Sequence, residues 1–163
     1  MKYFDYTIFQ GKTVLAMDLD MSAVNNRERR RQAEARGQAQ GTEVDYTFFF
    51  DEGNLSMDQP MPEQLALLWQ ALQGGLVDEG VYISSRPDSM WYGSATWLHQ
   101  HAYPFPYHLL LRGQFQKTED FKREELQVIA CYAALILFVD DSAKTRDAVA
   151  GLPKVLIFER LAY

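Results

Sequence analysis

Two acidic pairs carry the clearest chemistry in this chain. Asp18 and Asp20 follow the apolar run Val14-Leu15-Ala16-Met17, and Asp140 and Asp141 follow Leu135-Ile136-Leu137-Phe138-Val139. Apolar runs of this length read as buried strands, so both pairs stand at strand ends. In an open α/β sheet ligands bind outside the carboxyl ends of the strands, so two such strands would bring the four carboxylates to one crevice. Like charges a few Å apart raise one another's pKa, and a hard divalent cation relieves that crowding. A site for Mg²⁺ is the expectation.

The elements that must position these groups alternate along the chain. Leu65, Leu68, Trp69 and Leu72 repeat at helical spacing between Met61 and Gln73, with Pro60 and Pro62 at the entry and Gly74-Gly75 at the exit. Gly80-Val81-Tyr82-Ile83 reads as a strand running into Ser84-Ser85-Arg86-Pro87, after which Asp88 or Ser89 can cap a helix carrying Trp91, Ala95 and Leu98. Tyr107 to Leu111 is another strand. Thr118 can cap a helix whose face holds Leu126, Ile129, Ala130 and Ala133; the Leu135–Val139 strand, a helix from Ala143 to Gly151 and a last strand at Lys154 to Phe158 complete the series. Strands separated by helices imply parallel pairing through right-handed crossovers, hence an α/β fold: a three-layer, Rossmann-like sandwich with a mainly parallel sheet.

Two stretches break the rhythm. Residues 2–12 alternate aromatic and polar side chains before Gly11-Lys12 and read as an extra antiparallel edge strand. Residues 23–60 open on the polar, arginine-rich helix former Arg27-Glu28-Arg29-Arg30-Arg31 and run on to Phe48-Phe49-Phe50. A structureless loop of that length is foreign to a compact domain. The expectation is one domain over residues 1–163, with 23–60 a small cap-like insert beside the site, part helix and part aromatic packing surface.

With 163 residues, 47% of them hydrophobic and 23% charged, the chain has ordinary globular usage and enough length to bury a core. The lone Cys131 excludes a disulfide framework and a cysteine-ligated zinc, and no signal peptide or membrane span is read from the sequence, so a cytoplasmic protein is expected. A net charge of −6 argues against coating nucleic acid by electrostatics alone. Local positive charge on Arg27, Arg29, Arg30 and Arg31, close behind Asp20, still suits a polyanionic substrate. His99, His101 and His108 lack ligand spacing and read as packing or surface groups.

Taken in order, Asp18-Leu19-Asp20-Met21-Ser22, Ser84-Ser85-Arg86, Lys122 and Asp140-Asp141 resemble the motifs of the haloacid dehalogenase superfamily in its phosphatase branch. The resemblance spans about residues 13–158. Within that superfamily, the insert after the first motif and the phrases Ile83-Ser84-Ser85-Arg86-Pro87, Phe121-Lys122-Arg123-Glu124 and Phe138-Val139-Asp140-Asp141-Ser142 look most like the 3′-phosphatase domains of phage-type polynucleotide kinases. The chain has no Gly-x-x-x-x-Gly-Lys-(Ser/Thr) loop, so no kinase half is present in it.

The resemblance implies a Mg²⁺-dependent phosphomonoester hydrolase. Asp18 would be the nucleophile that forms an aspartyl-phosphate, Asp20 the general acid and base, Ser84 a hydrogen-bond donor to a phosphoryl oxygen, and Lys122 the neutralising cation. Mg²⁺ would be held by Asp18, the main-chain carbonyl of Asp20, Asp140 and Asp141. Ser22, Asn25, Arg27, Ser85 and Arg86 would face substrate. The expected substrate is a nucleotide or nucleic-acid 3′-phosphate end; a small-metabolite phosphatase and a noncatalytic interaction domain on the same fold are the alternatives. Neither a membrane nor a protein partner is implied.

Several residues keep two readings. Asp141 serves the metal or caps the helix that follows, as Ser142 also can; Arg86 clamps a substrate phosphate or pairs with a surface carboxylate; Ser22 touches substrate or satisfies local backbone. Lys117 competes with Lys122, whose context matches better. Met21 and Ser85 stand where the resembled family has glycine, which would narrow the pocket or alter backbone approach to phosphate.

Overall fold

A strand that is apolar on both faces needs cover on both, and the Val14–Met17 run meets that condition. β1 (Thr13–Met17) lies at the centre of a five-stranded sheet, between β4 (Glu79–Pro87) and β6 (Leu135–Val139), parallel to each. β5 (Leu109–Arg112) flanks β4 and β7 (Val155–Phe158) flanks β6, also in parallel. Leu15 and Met17 join one hydrophobic core while Val14 and Ala16 join another on the opposite face, as strand alternation requires. Leu68 of α3 (Pro62–Gln73) and Ala95, Trp97 and Leu98 of α4 (Trp91–Gln100) fill the first core. Phe121, Leu126 and Ile129 of α5 (Thr118–Tyr132) and Val149 of α6 (Ala143–Val149) fill the second. The result is the expected three-layer α/β sandwich. The computed structural model describes residues 4–113 and 115–162.

The expected edge strand before Gly11 does not form in residues 4–12; residues 2 and 3 lie outside the described residues. Tyr6–Phe9 is a 3-10 turn instead, entered through Asp5, whose carboxylate accepts from Thr7 N at 3.0 Å. Residues three apart eclipse in such a turn, which puts Tyr6 and Phe9 on one side and packs both against the α5 layer. Alternation of aromatic and polar residues fits that geometry as well as it fits a strand. The helix caps also differ: a 3-10 turn at Asp88–Met90 intervenes before α4, whose N-cap is Met90, and Thr118 is the first residue of α5 rather than its cap. Neither Asp88, Ser89 nor Thr118 caps through its side chain.

The insert is built on a short antiparallel pair, β2 (Val24–Asn25) with β3 (Gln59–Pro60), which closes its base. Between them lie α1 (Arg27–Ala39), α2 (Tyr46–Phe49) and a 3-10 stretch at Glu52–Met57. Ala33, Val44 and Phe49 form a small core of their own, so Phe49 is packing and not an exposed stacking platform. Gly37 lets the end of α1 meet the returning chain. A Cβ there would lie 2.8 Å from backbone atoms of Val44 and Asp45. Gly37→Ala should therefore destabilise the protein by about 1–3 kcal/mol through overpacking, read as a lowered midpoint of urea unfolding; an unchanged midpoint would show that α1 is not seated as described.

Candidate active site

β1 and β6 are adjacent, and the chain leaves them for opposite sides of the sheet: β4 and β5 lie beyond one, β7 beyond the other. That is a topological switch point, where the carboxyl ends of neighbouring strands leave a crevice. Asp18 continues β1, its N–H donating to Val139 O at 2.8 Å, and Asp140 continues β6, its N–H donating to Phe158 O at 3.1 Å. The backbone thus presents both carboxylates side by side. Lys122, buried near the start of α5, reaches between them: Nζ lies 2.6 Å from Asp18 Oδ1 and 2.6 Å from Asp140 Oδ2. Of the two lysines considered from the sequence, it is Lys122 that enters the crevice.

Asp140 Oδ1 accepts from Ser142 N at 2.9 Å, and Ser142 Oγ in turn accepts from Thr145 N at 3.3 Å. Ser142 therefore caps α6, leaving the exposed Asp141 carboxylate for the crevice. One oxygen from each of Asp18, Asp140 and Asp141 lies within 4.8 Å of the others. Burial pushes the Asp18 carboxyl up to about 7, with Lys122 opposing and Asp140 and Asp20 adding to the rise. Asp141 is raised as well, by burial and then by Asp140. For Lys122 burial acts against the charged form, yet Asp18 and Asp140 outweigh it and its pKa rises. One lysine does not balance three carboxylates. An all-oxygen set with surplus negative charge and no thiolate or imidazole fits a hard divalent cation such as Mg²⁺.

Asp20 belongs to a second, arginine-based network. Arg86 Nε lies 3.1 and 3.2 Å from its two carboxylate oxygens and Arg86 Nη2 2.5 Å from Oδ1, while Arg29 Nη2 stands 3.3 Å from Oδ1. Burial would raise this carboxyl, but Arg86 first, then Arg29 and Lys122, hold it below its ordinary value. Asp58, buried at the end of the insert, ties both guanidiniums together. It accepts from Arg29 Nε at 2.8 Å and Nη2 at 3.0 Å and from Arg86 Nη2 at 2.8 Å. Arg29 also donates to Phe49 O at 2.5 Å and lies over the Phe49 ring, 4.5 Å from its centroid. The network joins β1, β4 and the insert.

The other residues anticipated from the sequence divide between the crevice floor and a neighbouring cleft. Ser84 is buried and its Oγ accepts from Arg86 N at 3.2 Å; Ser22 Oγ accepts from Asp141 N at 3.1 Å. Ser22 thus supports Asp141 directly. Arg86 pairs with buried carboxylates, not a surface one, and its Nη1 donates to Ser94 Oγ at 3.1 Å. Asn25 Oδ1 accepts from Arg27 N at 3.2 Å. Arg27 and Ser85 line a cleft of about 490 Å³ that borders Asp20. Met21 lines it too, with φ at 66°, the left-handed conformation that a glycine adopts without strain. His101 and His108 bond Trp97 O and Gly80 O through Nδ1, away from the acidic cluster.

Asp58 and the inward role of Arg29 escape a reading of the sequence. Arg29 had a signal: Ala33 and Gly37, four and eight residues on, mark the buried face of α1, and Arg29 is on that face. Asp58 had none, because its partners lie 29 and 28 residues away on different elements.

No protein-family model matches the chain, and no curated protein matches it. Solved structures do. A class C acid phosphatase from Bacillus anthracis with tungstate bound superposes with a TM-score of 0.60 at 20% identity, over 94% of this chain and 69% of that one. A second structure of the class C acid phosphatase from that organism gives 0.58 at 20% identity, over 93% and 68%. A chain of the Pnkp1/Rnl/Hen1 complex gives 0.65 at 15% identity, over 95% of this chain, which spans about half (49%) of that one. The likeness is one of fold. It agrees with the α/β fold that the motif resemblance implies.

Because removing Asp58 strands two buried guanidiniums, Asp58→Ala should cost about 3–5 kcal/mol, measured by urea unfolding. Arg31→Ala, which breaks an exposed pair with Glu28, should leave the midpoint where it was. Equal effects of the two substitutions would contradict the network.

Proposed function

We propose that this chain is a Mg²⁺-dependent phosphomonoester hydrolase that works through an aspartyl-phosphate on Asp18, with a nucleotide or nucleic-acid 3′-phosphate end as substrate and a cytoplasmic setting. The observation that carries the proposal is the Asp18–Lys122–Asp140 bridge at the switch point, with Asp20 two residues along the same strand end. Lys122 takes Oδ1 of Asp18, and Oδ2 is the atom that attacks phosphorus as the ester P–O bond breaks. Asp20, which its arginine partners hold ionised at rest, takes up a proton from solvent as the phosphate dianion enters and passes it to the leaving oxygen. Water then attacks the phosphorus, Asp20 receives the proton, and cleavage of the acyl-phosphate P–O bond returns Asp18 and releases phosphate. Lys122 and Ser84 balance charge on the transferring group, while the main chain of β4 holds Ser84 at the crevice floor. Asp18, Asp140, Asp141 and the main-chain carbonyl of Asp20 would hold the metal, which when bound supplies positive charge to the phosphoryl oxygens.

Support for the nucleic-acid substrate comes from the arginine-lined cleft beside Asp20 and from the fold shared with a chain of the Pnkp1/Rnl/Hen1 complex. Likeness to the class C acid phosphatase supports a second reading, hydrolysis of small phosphomonoesters by the same machinery.

With an aryl phosphate as substrate, Asp18→Asn should reduce turnover to the uncatalysed level and Asp20→Asn should slow it by about 10²–10⁴-fold, both proteins keeping wild-type circular dichroism. Chelation with EDTA should abolish turnover and added Mg²⁺ restore it. Full turnover by purified Asp18→Asn protein would overturn the proposal.

A further inference from the structure

We propose that the cleft bordering Asp20 is a subsite for a second phosphate of the substrate, bound by Asn26 and Arg27 at the start of α1. The inference rests on the phosphatase reading and adds what the site selects: a substrate with another phosphate on the alcohol side of the scissile ester.

The arginines of α1 have different employment. Arg29 turns inward to Asp20 and Asp58. Arg30 is paired with Glu34 at 2.6 Å and Arg31 with Glu28 at 2.7 Å, both on the same helix. Arg27 has no carboxylate partner among the described residues, although it lines the cleft next to the acidic centre. On a chain of net charge −6, an unneutralised guanidinium in a concave site is a local exception.

Asn26 supplies the second observation. It is the N-cap residue of the 13-residue α1, it is only 6% exposed, and it also lines the cleft. Its side chain makes no capping hydrogen bond and none to any other described residue. The Asn26 amide is thus open to the cleft and free to bond a ligand there. Its amide, the first-turn N–H groups that Asn25 leaves free and the Arg27 guanidinium suit one kind of ligand, an anion with several acceptor oxygens. About 490 Å³ is room for a nucleotide-sized group. Met21 and Phe49 give the same cleft an apolar wall.

The test compares a nucleoside 3′-monophosphate, a nucleoside 3′,5′-bisphosphate and a 3′-phosphorylated dinucleotide, all with Mg²⁺. The bisphosphate, the dinucleotide or both should show kcat/KM about tenfold or more above the monophosphate, the scale of one added charge-assisted contact. That ratio should fall toward one in Arg27→Ala, return in part in Arg27→Lys, and persist in Arg36→Ala, whose arginine pairs with Asp45 outside the cleft. A gain for both ligands identifies any second phosphate as sufficient; a gain for the dinucleotide alone identifies a phosphodiester. Equal kcat/KM for all three, or a ratio that survives Arg27→Ala, would overturn the subsite. Calorimetric titration of Asp18→Asn protein with the same three ligands separates the two claims: an affinity gap without any wild-type turnover would sink the phosphatase reading and keep the subsite, and turnover without a gap would do the reverse.

Discussion

A buried ammonium between two carboxylates organises this molecule. Lys122 joins Asp18 to Asp140 at 2.6 Å on each side, and in doing so fastens α5 to the ends of β1 and β6. Without that cation the parallel pairing of the two strands would bring bare negative charges together in a desolvated crevice. With it, the single positive charge still falls short of the three carboxylates, so the crevice stays negative and open to a divalent ion. The same contact therefore serves the fold and prepares the site.

The second constraint acts between sheet and insert. Asp20 stands at the end of β1, Arg86 at the end of β4, and Arg29 and Asp58 come from opposite ends of the insert; the four groups satisfy one another in a buried ring of ion pairs. Buried ion pairs add little net stability over an apolar replacement, but they specify one arrangement, since losing any member leaves a charge unpaired. Here they set where the insert sits. The consequence is a cleft whose one wall is α1 and whose other is the strand end carrying Ser85.

Much of this was legible before any coordinates. Apolar runs bounded by acidic pairs marked β1 and β6, and Leu135–Val139 is the strand with the bounds read from sequence, because no polar residue interrupts it and Asp140 ends it. Those strands imply four carboxylates in one crevice; Asp18, Asp140 and Asp141 lie together, whereas Arg86 and Arg29 draw the Asp20 carboxylate into their own network. What sequence did not disclose depends on distance or on ambiguity of period. Residues 4–12 carry an alternation that a 3-10 turn satisfies by turning Tyr6 and Phe9 to one side, against the α5 layer, so the strand reading had an equal competitor. Asp58 looked like a loop carboxylate ahead of Gln59-Pro60, and only the closing of β2 on β3 brings it to Arg29 and Arg86. Asn25, Asn26 and Arg27 stood out through the resemblance as substrate-facing positions, but which amide would bond locally was not legible; Asn25 accepts from Arg27 N, and Asn26 lines the cleft.

The central claim is that Asp18 receives a phosphoryl group beside a divalent ion. A crystal structure with Mg²⁺ and fluoroberyllate tests it directly. The account predicts beryllium bonded to a carboxylate oxygen of Asp18, the metal among Asp18, Asp140 and Asp141, and Lys122 still bridging. Fluoroberyllate on any other carboxylate, or Mg²⁺ bound away from that trio, would contradict it.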